Sequence, residues 1–285
     1  MLKHLLCLLF LSFVLTLPAQ SCWTDFPEQN IPAKGAAPRY IVPKKYRTVR
    51  LDLAALQPLL ASAPERFSAA AAEQEVVLSL PLPDGGVSRF RLTEAPVMAP
   101  ALQAKFPEIR CYTGVGIDDT GALLKCDLTP QGFHAMIRSE QYGTVFIDPY
   151  RPGDCEHGIV YLRSDFSAKK EAFACGLEAG PGLDAAFKNK ELSESAGDCT
   201  FRRYRLALGC TGEYAAFHGG TQALALAAMN TTINRVNGIY ERDLAITLQL
   251  IANNNLLVYT DPVNDGYSNG NVGNMLTQNQ TKCNT

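Results

Sequence analysis

Between Tyr46 and about Ser164, apolar residues recur at every second position in short runs separated by turn chemistry. Val49-Arg50-Leu51-Asp52-Leu53 alternates, and Glu75 to Leu80 and Val87 to Leu92 flank Pro83-Asp84-Gly85-Gly86, which predicts a hairpin. Further strands are expected at Cys111–Ile117, Ala122–Leu128, Phe133–Ile137, Thr144–Ile147 and Ile159–Leu162, joined through turns such as Asp118-Asp119-Thr120-Gly121 and Thr129-Pro130-Gln131-Gly132. This regular spacing predicts an antiparallel β-domain over 46–164. Ala54–Ala61 and Ala69–Ala72 are better helix formers and are expected to decorate an edge.

The alternation fades over 165–199, where Lys169-Lys170-Glu171 and the stretches Gly176 to Gly182 and Glu191 to Gly197 read as an exposed linker. A different period follows over 200–285. Tyr204, Leu206, Leu208 and Cys210 share one strand face. Gly219-Gly220-Thr221 starts a helix with Ala225, Met229, Ile233, Val236 and Tyr240 on one stripe, and Gly238 weakens its last turn. Leu244, Ile246, Leu248, Leu250 and Ala252 alternate again. Strand, long helix and strand predict a right-handed βαβ unit, then an Asn/Gly-rich loop to the end. A lone unit of this kind leaves sheet edges and a sheet face uncovered. The expected fold class is therefore α+β.

The first residues have another logic. Lys3 and His4 precede an apolar run from Leu5 to Leu17, then Pro18 and Ala19-Gln20-Ser21, the three-part pattern of a secretory signal peptide over 1–19. The run is short for a membrane span. The expected location is secreted, periplasmic or at the cell surface. Ala19-Gln20-Ser21-Cys22 half-resembles a lipoprotein box that would lipidate Cys22, but Ala19 fits it poorly, and plain cleavage near Ala19 is the better reading.

Composition then narrows the chemistry. The 285 residues are 47% apolar with a formal net charge of −2, enough for two cores and without the basic field that nucleic acid needs. Nine cysteines occur, and none forms a C-x-x-C pair, so a zinc ribbon has no support. In an exported chain they favour disulfides, with no pairing selected by spacing.

Several motifs tempt. Asp119-Thr120-Gly121-Ala122 spells an aspartic-protease signature, but that chemistry needs a second carboxylate, and the sequence holds no second D-T-G. It reads as a turn. Gly266-Tyr267-Ser268-Asn269-Gly270 matches a nucleophile elbow, and His218-Gly219-Gly220 an oxyanion-hole segment. The elbow would need a strand before it and a histidine after it, and no histidine follows His218. His218 therefore reads as a capping or packing residue. His4, His134, His157 and His218 have no metal-ligand spacing, and Cys155-Glu156-His157 lies in too short a turn to converge on a metal.

A resemblance enters over Arg202 to Ala252. Tyr204 to Tyr214 (Tyr-Arg-Leu-Ala-Leu-Gly-Cys-Thr-Gly-Glu-Tyr), Phe217-His218-Gly219-Gly220-Thr221, Asn234 to Asp243 and Ile251-Ala252-Asn253-Asn254 resemble the opening of secreted bacterial reprolysin-like (metzincin) metallopeptidases. Tyr112 to Asp119 and Leu128 to Ile137 resemble that group's pro-region. The resemblance implies an antiparallel β-rich pro-region domain (46–164), the linker (165–199) and an incomplete βαβ portion of a metzincin-like α/β domain (200–285). It also implies zinc-dependent endopeptidase activity on protein or peptide substrates in a complete relative. There zinc is held by an H-E-x-x-H-x-x-G-x-x-H helix whose glutamate is the general base.

That motif is absent from this sequence, so no catalytic, cofactor-binding or metal-ligating residue is carried over, and no cofactor is expected in this chain. The chain alone is expected to be inactive: either a fragment or truncated reading frame, or a stand-alone pro-region that chaperones or inhibits a partner peptidase. Inhibition could place Cys111, Cys126 or Cys175 on the partner's zinc. The non-enzyme alternative is an exported binding module.

Overall fold

The computed structural model describes residues 21–32, 38–167 and 200–284. The expected signal peptide and nearly all of the expected linker lie outside these residues.

The alternating segments pair as a meander. Strands β3 (Val76–Pro81), β4 (Val87–Glu94), β5 (Arg110–Gly116), β6 (Leu123–Thr129), β7 (Gly132–Ser139), β8 (Gly143–Pro149) and β9 (His157–Leu162) lie side by side in chain order, each antiparallel to the next. Beyond β9 the sheet continues through β2 (Arg47–Leu51) to β1 (Trp23–Asp25), making nine strands. Strand β1 was not anticipated, because three residues are too few to show a period of two.

The sheet curls until it nearly closes. Arg47 on β2 reaches across to donate through Nη1 to the carbonyls of Leu82 (3.0 Å) and Gly86 (3.2 Å), in the turn between β3 and β4. The reason is apolar: one continuous cluster takes residues from every strand, including Trp23, Val49, Leu78, Phe90, Leu124 and Val145. A flat sheet of this width would spread them over roughly 38 Å at about 4.8 Å per strand, too far to share one core. Helix α1 (Leu53–Ala61) is capped by Asp52, whose carboxylate accepts from the Ala55 amide at 3.0 Å, and it buries Leu56 and Leu60 in this interior. It fills the curl rather than decorating an edge. Two one-turn helices follow, α2 (Ala70–Glu73) and α3 (Pro100–Gln103).

After residue 199 the topology changes. Strands β10 (Arg202–Leu206) and β11 (Ile246–Leu250) are parallel, in the register Arg202↔Ile246 to Leu206↔Leu250. They are joined by α4 (Gly212–Phe217) and the 23-residue α5 (Gln222–Leu244). Thr221 caps α5 by accepting from the Leu224 amide, and Ala245 ends it in the left-handed region at φ 53°. Leu244 therefore closes the helix, 57% exposed, and is no part of the following strand. The expected terminal loop contains α6 (Val272–Cys283), capped by Asn271. None of the residues of α6 is buried, so it carries no apolar stripe to reveal it. With one curled antiparallel sheet and a separate parallel pair bridged by helix, the chain is α+β.

If α1 seals the curled sheet, Leu56→Ala should lower stability by about 3 kcal/mol, the usual range for an emptied core leucine site. The exposed neighbour change Gln57→Ala should stay within about 0.5 kcal/mol. Thermal unfolding of the two variants beside the parent chain measures both.

Candidate functional site at the helix–sheet seam

Because side chains alternate along β6, Leu124 and Cys126 point into the curled interior while Lys125, Asp127 and Thr129 point outward. Exposed, that outer row would be an ordinary polar surface. Here it is buried, because α5 lies across it: Lys125 is 6% and Asp127 1% exposed. The helix meets it with a matching polar stripe at helical spacing: Asn230, Thr231, Asn234, Gly238 and Glu241.

The partners are specific. Thr231 donates through Oγ1 to one oxygen of Asp127 at 2.7 Å, and Asn234 donates through Nδ2 to the other at 3.3 Å and to the Cys126 carbonyl at 2.9 Å. Asn230 donates to Cys111 Sγ at 2.7 Å. Two strands over, on β8, the buried Asp148 accepts from Arg235 Nη2 at 2.6 Å and from the Tyr161 hydroxyl at 2.7 Å. At the far end Lys125 Nζ and Arg66 Nη1 both lie 2.8 Å from the same oxygen of Glu241. His134 stands between the two aspartates, with Nδ1 3.2 Å from Asp127 but outside hydrogen-bond geometry.

Glycine makes this approach possible. A Cβ on Gly238 would sit 2.7 Å from Met136 Cε and 2.9 Å from Lys125 Cγ, both inside contact distance. The residue that weakens the helix by intrinsic propensity is the one that lets it reach the sheet.

Charge follows from the same burial. Loss of solvent pushes the Asp148 carboxyl up, but the Arg235 guanidinium, His134 and the Tyr161 hydroxyl outweigh it and hold it below the ordinary range. Glu241 is likewise desolvated, and Lys125 and Arg66 together hold its carboxyl low. Desolvation dominates at Lys125, whose ammonium is driven below its usual value despite Glu241. Burial, reinforced by the nearby Asp127 charge, pushes the Cys111 and Cys126 thiols well up.

The seam is reinforced by shared apolar packing and by strand pairing. A second core joins Val97, Met98, Leu102, Ile109 and Cys111 from the antiparallel part to Ala225, Leu226, Met229, Ile233 and Leu250 from the C-terminal part. Val97 to Ala99 also pair with the edge of β11: the Leu250 amide donates to the Val97 carbonyl at 2.8 Å, and the Ala99 amide to the Leu250 carbonyl at 2.9 Å. Part of the covering that a lone βαβ unit lacks therefore comes from the preceding sheet.

The motifs singled out in the sequence fall apart chemically. Asp119 closes the β5–β6 turn, accepting from the Gly121 amide and the Ser139 hydroxyl. Ser268 lies in a loop ahead of α6, its hydroxyl accepting from Gln278 Nε2 at 2.8 Å, with no strand leading into it. His218 caps the end of α4 and packs against Tyr214 and Phe217, and burial lowers its pKa. His157 is turned toward Asp154 at 3.2 Å. Cys111 and Cys126, two of the three thiols considered for capping a zinc, are fully buried on opposite faces of the sheet and cannot reach a partner's metal in this arrangement. Cys175 lies outside the described residues. Cys22, the lipidation candidate, is buried against the first core.

Sequence reasoning missed the seam because it tracked apolar positions. The expected stripe placed Tyr240 inside, where it is 40% exposed, and overlooked the uncharged Asn and Thr at i, i+4 and i+7. A run of Asn and Thr on one face of a long helix, which propensity disfavours, was the available signal.

By architecture the C-terminal part is a parallel strand–helix–strand unit whose crossover helix is clamped to an antiparallel sheet. Residues 200–284 match the model of the metallopeptidase family M12B, reprolysin-like, which shows the reprolysin-like resemblance for this segment. No curated protein matches the chain. The family implies zinc in its complete members. Among the described residues no group of three or more His, Cys, Asp and Glu side chains could hold a metal ion.

Three outcomes are expected of the seam. Gly238→Val should undock α5, seen as faster amide exchange along 222–244 while β7 and β8 stay protected. The low-lying carboxyls of Asp148 and Glu241 add stability that is complete above the unfolded-state pKa of about 4 and is lost as pH falls through the folded values beneath it. Exchange from α5 should therefore accelerate on acidification below about pH 4. Asp148→Asn should cost about 3 kcal/mol at neutral pH by leaving Arg235 unpaired, and should flatten that acid response.

Proposed function

We propose that this chain is the N-terminal portion of a secreted zinc-dependent metalloendopeptidase: a pro-region built as the curled sheet, followed by the front of the catalytic domain. The observation that carries the reading is the coincidence of the reprolysin-like match at 200–284 with the parallel β10–α5–β11 unit. The N-terminal charged, apolar and small-residue pattern supports export, and no helix among the described residues is long and apolar enough to cross a membrane. Protein or peptide substrates follow from the peptidase family.

On this reading the seam does the work that this chain's own residues can do. It holds the crossover helix and the edge of β11 in place. In complete relatives hydrolysis uses a zinc-bound water and a glutamate base from an H-E-x-x-H helix, a motif this sequence lacks, and on this reading the chain alone does not cleave.

A second reading, in which the curled sheet chaperones or inhibits a partner peptidase, is favoured by one feature. The sheet supplies Val97, Met98, Leu102, Ile109 and Cys111 to the second core, so the C-terminal unit leans on it for burial.

Residues 20–285, incubated with zinc and a denatured protein substrate, should show no cleavage. Cleavage abolished by a chelator would refute the inactive-chain reading. Stoichiometric inhibition of a complete reprolysin-like peptidase by the same preparation would favour the second reading over the first.

A further inference from the structure

Beside the end of α5 the outer face of the sheet opens into a cleft of about 310 Å³. Its floor is set by register: Arg91, Val115, Leu123 and Arg138 stand in one row across β4, β5, β6 and β7, and Thr93, Thr113, Lys125 and Met136 in the next. The row places an arginine at each end, roughly 14 Å apart at about 4.8 Å per strand, with apolar floor between them. Val115 is 48% and Leu123 36% exposed there, large apolar side chains left uncovered on the outer face. Gly238, Glu241 and Arg242 of α5 form the overhanging wall.

Among the described residues the charges around this cleft do not balance. Its lining holds Arg66, Arg91, Lys125, Arg138 and Arg242 against one carboxylate, Glu241. Arg91 is matched by Glu75 outside the cleft, and Arg242 by Asp243. Arg66 and Lys125 must share a single oxygen of Glu241. The Arg138 guanidinium makes no hydrogen bond or ion pair with any described residue, and feels Asp243 only at longer range. A half-enclosed site with surplus guanidinium and ammonium charge is stabilised by an anion, and planar guanidinium favours carboxylate and phosphate oxygens.

We infer that this cleft binds a small amphipathic anion, its carboxylate or phosphate head on Arg138 and the Arg66–Lys125 pair and its apolar body over Val115, Leu123 and Met136. Inorganic phosphate would meet the charge but leave the apolar floor wet. A neutral alkyl chain would cover the floor and leave the cations unmatched. The site uses none of the residues that clamp the middle of α5, and it stands whether or not the chain is part of a peptidase.

Calorimetric titration of the chain with octanoate, octyl phosphate, octanol and inorganic phosphate tests it. One saturable site is expected for octanoate or octyl phosphate, and which of the two binds tighter identifies the head group. Octanol and inorganic phosphate should bind at least tenfold more weakly. Arg138→Ala should weaken the alkyl anion about tenfold or more, since a charge-assisted contact is worth about 1.5–3 kcal/mol, and Arg138→Lys should lose less. Because the Arg138 head group has no hydrogen-bond or ion-pair partner among the described residues, its variant should unfold close to the parent temperature. Leu123→Glu, at a partly exposed position, gives an independent variant that should also abolish binding. Absence of a saturable site for both alkyl anions, equal binding of inorganic phosphate, or unchanged affinity in both folded variants would overturn the proposal.

Discussion

A buried carboxylate must find donors, and that requirement at Asp127 organises the junction of the two halves of this protein. The side chain is 1% exposed on the convex face of the curled sheet, where it would be badly placed without partners. Thr231 and Asn234 supply them, and both come from α5. Once those bonds are made, the helix axis is fixed over β6, Asn230 falls on Cys111 and Arg235 on Asp148. Gly238 is then needed where the helix presses on the Met136 and Lys125 side chains. Burying charge of this kind adds little net stability compared with an apolar contact, but it penalises any other register of the helix.

The same placement explains how a two-stranded parallel sheet persists. A pair of strands with one crossover helix has too little burial of its own. Here Val97 to Ala99 pair with β11 and bring Met98 into the second core, while Asn237 ties the inner side of α5 to the Leu248 backbone in both directions, at 2.8 and 2.9 Å. The helix thus has two buried faces, apolar toward β10 and β11 and polar toward β6. The reprolysin-like segment takes its shape in part from residues outside it.

The strands were legible in the sequence because a curled sheet with one sealed interior enforces alternation, and Phe90, Leu92, Leu124 and Ile137 all sit inward as a period of two requires. The parallel unit was legible for a similar reason, since its helix had to be long enough to cross over. What stayed hidden was polar. Asp127 and Lys125 look like solvent-facing positions of β6 until a helix covers them, and nothing local in the strand announces that. Helix α6 was hidden for the complementary reason: it is held by the Ser268–Gln278 clasp and the Tyr267–Asn279 bond rather than by an apolar stripe. The acidic, histidine and serine motifs that drew notice are each explained by turns and caps.

Joined through the seam, α5 and the outer face of the sheet form one cooperative unit. Native-state amide exchange across a denaturant series measures this directly, by comparing the opening free energies of α5 with those of β5 and β6. The account predicts that these amides lose protection together, in a single opening. A helix that exchanges at markedly lower denaturant while β5 and β6 keep their full protection would contradict it.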